Sequence, residues 1–156
     1  MAQGGFDAVA TGSNSYAGGN NVQALGITAH AEGTNTQAGG VASHAEGIST
    51  IASLSAGHAE GIGTQATGIA SHAEGDSTTA SNRGSHSEGV SSTSSGFASH
   101  AEGANTTASL SAAHSEGRNT ISSNIASHAE GEGSEASGRA AHAEGYDTLA
   151  TNQGLS

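Results

Sequence analysis

The chain has 156 residues, with 25 Gly, two Phe, two Tyr and no Cys, Pro or Trp, and its 14 acidic against three basic side chains give a formal charge of −11. The missing cysteines exclude disulfides and thiolate metal sites, and three Arg without any Lys exclude a phosphate-binding patch, so no nucleic-acid partner is expected. So little large apolar side chain at so high a charge reads, by composition alone, as disorder. The order of the residues argues the opposite.

Residues 1–29 carry a fourteen-residue beat in worn form. Gly4-Gly5 and Gly18-Gly19 are one period apart, Gly12 and Gly26 fall where Gly40, Gly68, Gly96 and Gly138 recur, and Tyr16 stands where later repeats have histidine. These residues are read as two degenerate, cap-like repeats, because the end coils of a solenoid meet solvent or another domain instead of a neighbour.

From residue 30 to residue 156 nine regular repeats follow. Each begins with one of the protein's nine histidines: His30, His44, His58, His72, His86, His100, His114, His128 and His142. Two residues on comes glutamate: Glu32, Glu46, Glu60, Glu74, Glu88, Glu102, Glu116, Glu130 and Glu144. One further on comes glycine: Gly33, Gly47, Gly61, Gly75, Gly89, Gly103, Gly117, Gly131 and Gly145. The residue between His and Glu is Ala except at Ser87 and Ser115. A period kept without insertion means one small unit stacked on copies of itself, in a single solenoid domain.

With His as position 1, the repeat reads His, Ala, Glu, Gly, a mixed and then a small or polar residue, Thr, a variable residue, Ala, Ser, Gly or Asn, a variable residue, Ala, Ser. Two stretches alternate with period two and are bounded by turn residues, which predicts two strands and two turns per coil. The Gly at position 4 suits a turn with positive φ. Asn82, Asn124 and Asn152 are expected to replace Gly at the second corner, position 11, for the same reason; Leu54 and Leu110 break that rule.

Alternation then sorts the faces. So narrow a coil has room inside for methyl groups and hydroxyls only, which assigns Ala31, Ala45, Ala59 and Ala73, with Ala38, Ala52 and Ala66, to the lumen. Every His and Glu therefore points outward, and stacking at about 4.8 Å makes two parallel files on one face about 50 Å long. Position 12 runs through Val41, Ser55, Ile69, Arg83, Phe97, Ser111, Ile125, Arg139 and Gln153, and position 8 is as mixed. The face that does not vary is expected to be an interface, and the variable ones to be solvent.

Other chemistries fit the pattern less well. His and carboxylate ligate Zn, Ni or Cu, but layers about 5 Å apart crowd divalent ions, so neither a metal nor a cofactor is expected. Nine identical pairs without a nucleophile or pocket form a ladder and not an active site, so the chain is not expected to be an enzyme. The row of Thr36, Thr50, Thr64, Thr78, Thr106, Thr120 and Thr148 admits an ice-binding reading, against which Thr at the lumen edge bonding the turn backbone is preferred. The sequence has no run of 18 apolar residues and no signal-peptide pattern. The reading is of a segment of a longer exported protein, or of one exported without a cleaved signal, with no membrane contact of its own.

The frame from Ser43-His44-Ala45-Glu46-Gly47 to Ala66-Thr67-Gly68 resembles the fourteen-residue head repeats of YadA-like trimeric autotransporter adhesins, and the resemblance extends over almost the whole chain. Similar Ser-His-Ala-Glu-Gly repeats occur in phage and surface fibres. The resemblance implies an all-β fold, a left-handed parallel β-roll of about ten or eleven coils assembled as a homotrimer around a threefold axis. Where the family motif turns Val and Ile inward, this sequence has His and Glu, so the eighteen His and Glu residues named above become the expected trimer interface. The implied role is a head or shaft segment of a cell-surface adhesin or of a virion fibre. Its partners are then other copies of itself and, for an adhesive head, a host matrix or cell-surface receptor; the alternatives are a phage tail-fibre spacer or a metal-binding or ice-binding solenoid.

Overall fold

The computed structural model describes residues 2–3, for their backbone pairing, and 7–151. Gly4, Gly5, Asn152 and Gln153 of the repeat pattern lie outside the described residues. The architecture is an all-β parallel solenoid with two eleven-stranded sheets running its length. Each coil gives one sheet a five-residue strand, such as His44–Ile48, and the other a two-residue strand, such as Ile51–Ala52. Pairing is parallel with a shift of fourteen, so His44 faces His58, Glu46 faces Glu60 and Ile51 faces Gln65. Tyr16–Asn20 pairs with His30–Thr34 in the same register, and Ala2 and Gln3 pair with Ala17 and Gly18. No helix among the described residues is long and apolar enough to cross a membrane.

Hydrogen bonding does not stop at the strand ends. Ser49 donates its backbone N–H to the carbonyl of Thr34 one coil back, and Ala56 to that of Val41, each at 2.8 Å. Proline would remove one donor from such a ladder, and this sequence has none. With so small a core, the continuous backbone ladder is what joins coil to coil.

The lumen is lined by Ala31, Ala38, Ala45, Ala52, Ala59, Ala66 and Ala73 and their equivalents as far as Ala136, all fully buried. The Thr row is enclosed as well, from Thr36 to Thr120, so it does not face solvent. Thr78 and Thr120 donate to the carbonyls of Glu74 and Glu116, each at 3.1 Å. The apolar lining is interrupted twice. Ser87, Ser92, Ser94 and Ser99 fill one coil, and Ser115, Thr120, Ser122 and Ser127 another. Their hydroxyls bond to one another and to backbone, as in Ser94 Oγ to Ser99 Oγ at 2.6 Å and Ser87 Oγ donating to the Ser92 carbonyl at 2.8 Å. A buried hydroxyl is tolerated when it is so satisfied.

The second corner departs from the sequence expectation. Positive φ falls on position 13, at Ala42, Ala56, Ala70, Ala98, Ala112, Ala126 and Ala140, and on position 6, at Asn35, Ser49 and Ser77, while no position-11 residue among the described residues has it. Position 11 favours Gly for space: a Cβ on Gly96 would lie 2.0 Å from the carbonyl oxygen of Leu110 in the next coil. Leu54 and Leu110 break no conformational rule and both are exposed; with Asn82 and Asn124 they carry a Cβ at this position, so the space limit belongs to the coils that have glycine there. Asn82 and Asn124 hold the corner differently, each donating Nδ2 to a carbonyl thirteen residues on, Ser95 at 3.0 Å and Ser137 at 2.9 Å.

Candidate functional site: the histidine and glutamate files

Positions 1 and 3 of the long strand project from the same side of the sheet, away from the alanine between them. In-register stacking therefore turns the repeat into two side-chain files. The nine imidazoles follow one another with centroids 4.6 to 4.9 Å apart. From His44 onward they lie within 17° of parallel. Tyr16 continues the file at its N-terminal end, its ring 4.8 Å from that of His30 and tilted by 36°.

Glutamate lies beside histidine within each coil. The Nε2 to Oε2 distance is 3.4 Å at His30 and Glu32, 3.2 Å at His44 and Glu46 and again at His58 and Glu60, and 3.6 Å at His128 and Glu130. Only the first two pairs are aligned as hydrogen bonds. Nε2 of His58, His72, His86, His100, His114 and His128 is closed off from solvent and has no hydrogen-bond partner within the chain. Proximity without alignment makes these six contacts electrostatic at most. His142 departs from the pattern, since its nearest carboxylate is Glu130 of the preceding coil, at 3.8 Å.

The files sit at the surface of the single chain. Side-chain exposure is 41% for His30 and 60% for Glu32, falling to 34% and 26% at His128 and Glu130. His128 has a pKa below the ordinary histidine value of 6.5, through burial first and then the charges of His114 and His142, against the opposing pull of Glu130 and Glu116.

Could the files hold metal? His86, Glu88 and His100 bring donor atoms within 4.8 Å of one another, as do three further sets down to His128, Glu130 and His142. Two imidazoles on one Zn²⁺ at about 2.0–2.1 Å cannot have their nitrogens more than about 4.2 Å apart. Adjacent rings here are parallel with centroids 4.7 Å apart, beyond that limit, so their in-plane lone pairs do not converge. One nitrogen and one carboxylate oxygen per coil is what the geometry offers, which does not amount to a closed site.

The glycines at position 4 have φ between 95° and 119° and end the face by close approach. A Cβ on Gly61 would fall 2.1 Å from the carbonyl oxygen of Gly75, so the coil seats directly on the next only because residue 61 has no Cβ. The structure thus draws the His and Glu into one face and the glycines along its edge. The sequence reading missed the ring stacking. Its signal was the uninterrupted period itself, because an in-register parallel ladder of one residue type brings its rings to strand spacing.

No family model matches the chain, and no curated protein is significantly similar to it.

Proposed function

We propose that three copies of this chain lie side by side around a threefold axis, as a left-handed roll with the His and Glu files turned inward, and that the trimer is a rigid head or shaft segment of a surface adhesin or fibre. The observation that carries this reading is the unbroken file of nine imidazoles on one face, centroids 4.6 to 4.9 Å apart, with glutamates beside them and both partly exposed in the single chain. An unvarying polar face suits an interface, where the exposed ring edges and carboxylate oxygens of adjacent copies can hydrogen-bond to one another. The charge balance agrees in direction: 14 acidic side chains less three basic leave −11, and protonation of nine His would reduce that to −2. The pairing serves register more than net stability, since a buried polar network is tolerable only when complete.

Within this reading a spacer is favoured over a receptor-binding head. Among the described residues only two of the exposed large apolar side chains, Phe97 and Tyr146, are aromatic, and they lie 49 residues apart in the chain. Binding hot spots cluster aromatic residues, and the outer faces have no such cluster.

The test is solution mass by light scattering at neutral pH, with and without a chelator. The expected mass is three times 14.9 kDa in both. A folded monomer would remove the interface reading, and a mass that fell on chelation would make the histidines metal ligands.

A further inference from the structure

The His and Glu face has two edges, and both carry exposed side chains. On the Glu side the long strand ends at position 5, where Ile62 and Val90 are 52% and 51% exposed. On the His side the turn that enters the strand carries position 12, where Ile69 and Phe97 are 48% and 52% exposed. Within one chain the edges are held apart by the strand, about 13 Å for four residue steps. In a closed ring of parallel copies, contacts are heterologous, so the Glu-side edge of one copy meets the His-side edge of the next.

Positions 5 and 12 are seven residues apart in either direction around a fourteen-residue coil. Each position-5 side chain is therefore about level with the midpoint between two position-12 side chains of its neighbour, and side-chain chemistry selects one of the two. Seven residues forward, Asp76 meets Arg83, Glu132 meets Arg139, Ile62 meets Ile69 and Val90 meets Phe97. Seven residues back, both acids meet isoleucine, Ile69 and Ile125, and Val90 meets Arg83. Asp76 and Glu132 are the only acids at position 5 among the described residues, and Arg83 and Arg139 are the only basic residues at position 12. The forward register pairs both acids with both arginines, and the backward register pairs neither acid with a base.

We propose that neighbouring copies zip along this seam, the position-5 residue of one chain packing on the residue seven positions later in the next. The proposal rests on the trimer reading above and adds to it the contact edge and the register. The third arginine fits the same scheme. Arg118 sits at position 5 and bonds Glu132 one coil on in its own chain, so Arg139 of the next copy completes a line of alternating charge. Its forward neighbour Ile125 then packs on the aliphatic stem of Arg118.

Ile62→Cys combined with Ile69→Cys tests the edge contact, because the protein has no cysteine of its own and the span across one strand exceeds what a disulfide can bridge. Expected is a mass near three times 14.9 kDa under reducing conditions and, after oxidation, a covalent trimer on a denaturing gel run without reductant. A trimeric mass giving only monomer on that gel would overturn the seam and leave the trimer standing. A monomeric wild-type protein would overturn both. Should the cysteine variant fail to assemble, charge reversal tests the register: Asp76→Arg and Arg83→Asp should each lower the thermal midpoint of the trimer, and the double variant should regain at least half of the summed loss. Simple addition of the two losses would overturn the forward pairing.

Discussion

The imidazole of His72 lies 4.7 Å from that of His86 and within 1° of parallel to it, although fourteen residues separate them in the chain. Each ring's two faces are thereby covered by its neighbours, and only its edge remains for other contacts. The stack also couples the charges, since two protonated rings at that distance repel by about 1 kcal/mol even in water.

His128 shows that coupling, and it sets a pH dependence. Its folded pKa lies below 6.5 through burial and the neighbouring His114 and His142, opposed by Glu130 and Glu116. The unfolded chain takes up its proton near 6.5 and the folded chain only at lower pH. Between those values the unfolded state binds more protons, so stability falls as the pH drops through 6.5 and levels off below the folded pKa. Thermal melts followed by circular dichroism should show a lower midpoint at pH 5 than at pH 7.5, with a smaller difference in His128→Gln. An identical pH slope in the two proteins would remove His128 as a source.

Glycines separate into two kinds by what surrounds them. Gly75 has φ of 106°, and a Cβ there would lie 2.1 Å from the carbonyl oxygen of Gly89. Gly75→Ala must push two coils apart and is expected to cost about 3 kcal/mol or more. Gly63 also has positive φ, 65°, but the nearest atom to its added Cβ is Ser77 Oγ at 3.6 Å. Asn35 and Asn105 hold the equivalent place with φ of 57° and 56°, so Gly63→Asn should change stability by no more than about 0.5 kcal/mol. Chemical denaturation of the two variants checks the contrast, which disappears if both are equally damaging.

These glycines also show how far the sequence could be read. The period fixed coil length and strand register, because like residues can recur every fourteen positions only if they stack, and His44 does pair with His58. Alternation placed Ala45 inside and His44 outside, as found. Position 11 was different: Gly40, Gly68 and Gly96 suggested positive φ, whereas their requirement is the carbonyl of the next coil. A glycine that needs space and one that needs conformation look alike in a sequence, and alanine at the true positive-φ position 13 gave no hint of it. The Nε2 atoms of His58 to His128 could not be foreseen as unpaired either, since that depends on side-chain angles within the strand.

Position 13 is a site of stored backbone strain. Ala98 is exposed with φ of 50°, a conformation that costs a residue with a Cβ about 1–2 kcal/mol. Gly84 occupies the same place one coil earlier, with φ of 64°. Ala98→Gly relieves the clash while adding freedom to the unfolded chain, for a net change between zero and a gain of about 1 kcal/mol. Ala101→Gly removes a fully buried methyl from a strand and should cost about 1.5 kcal/mol. The pair of thermal midpoints is the check, and a destabilised Ala98→Gly would mean that the backbone there is unstrained.

The lumen offers a complementary gain. Oγ1 of Thr64 is buried without a hydrogen-bond partner, whereas in the equivalent place four coils on Thr120 Oγ1 lies 2.8 Å from Ser115 Oγ. Ser115 occupies the position of Ala59 and Thr120 that of Thr64, and both Ala59 and Thr64 are fully buried. Ala59→Ser therefore adds one oxygen and a partner together, and the net effect should lie between neutral and a gain of about 1 kcal/mol. Ala59→Val adds bulk without a donor and should lose about 1–3 kcal/mol by overpacking. Urea midpoints of the two variants decide the matter: if serine is as costly as valine, the lumen at that coil has no room for the hydroxyl pair that Ser115 and Thr120 make.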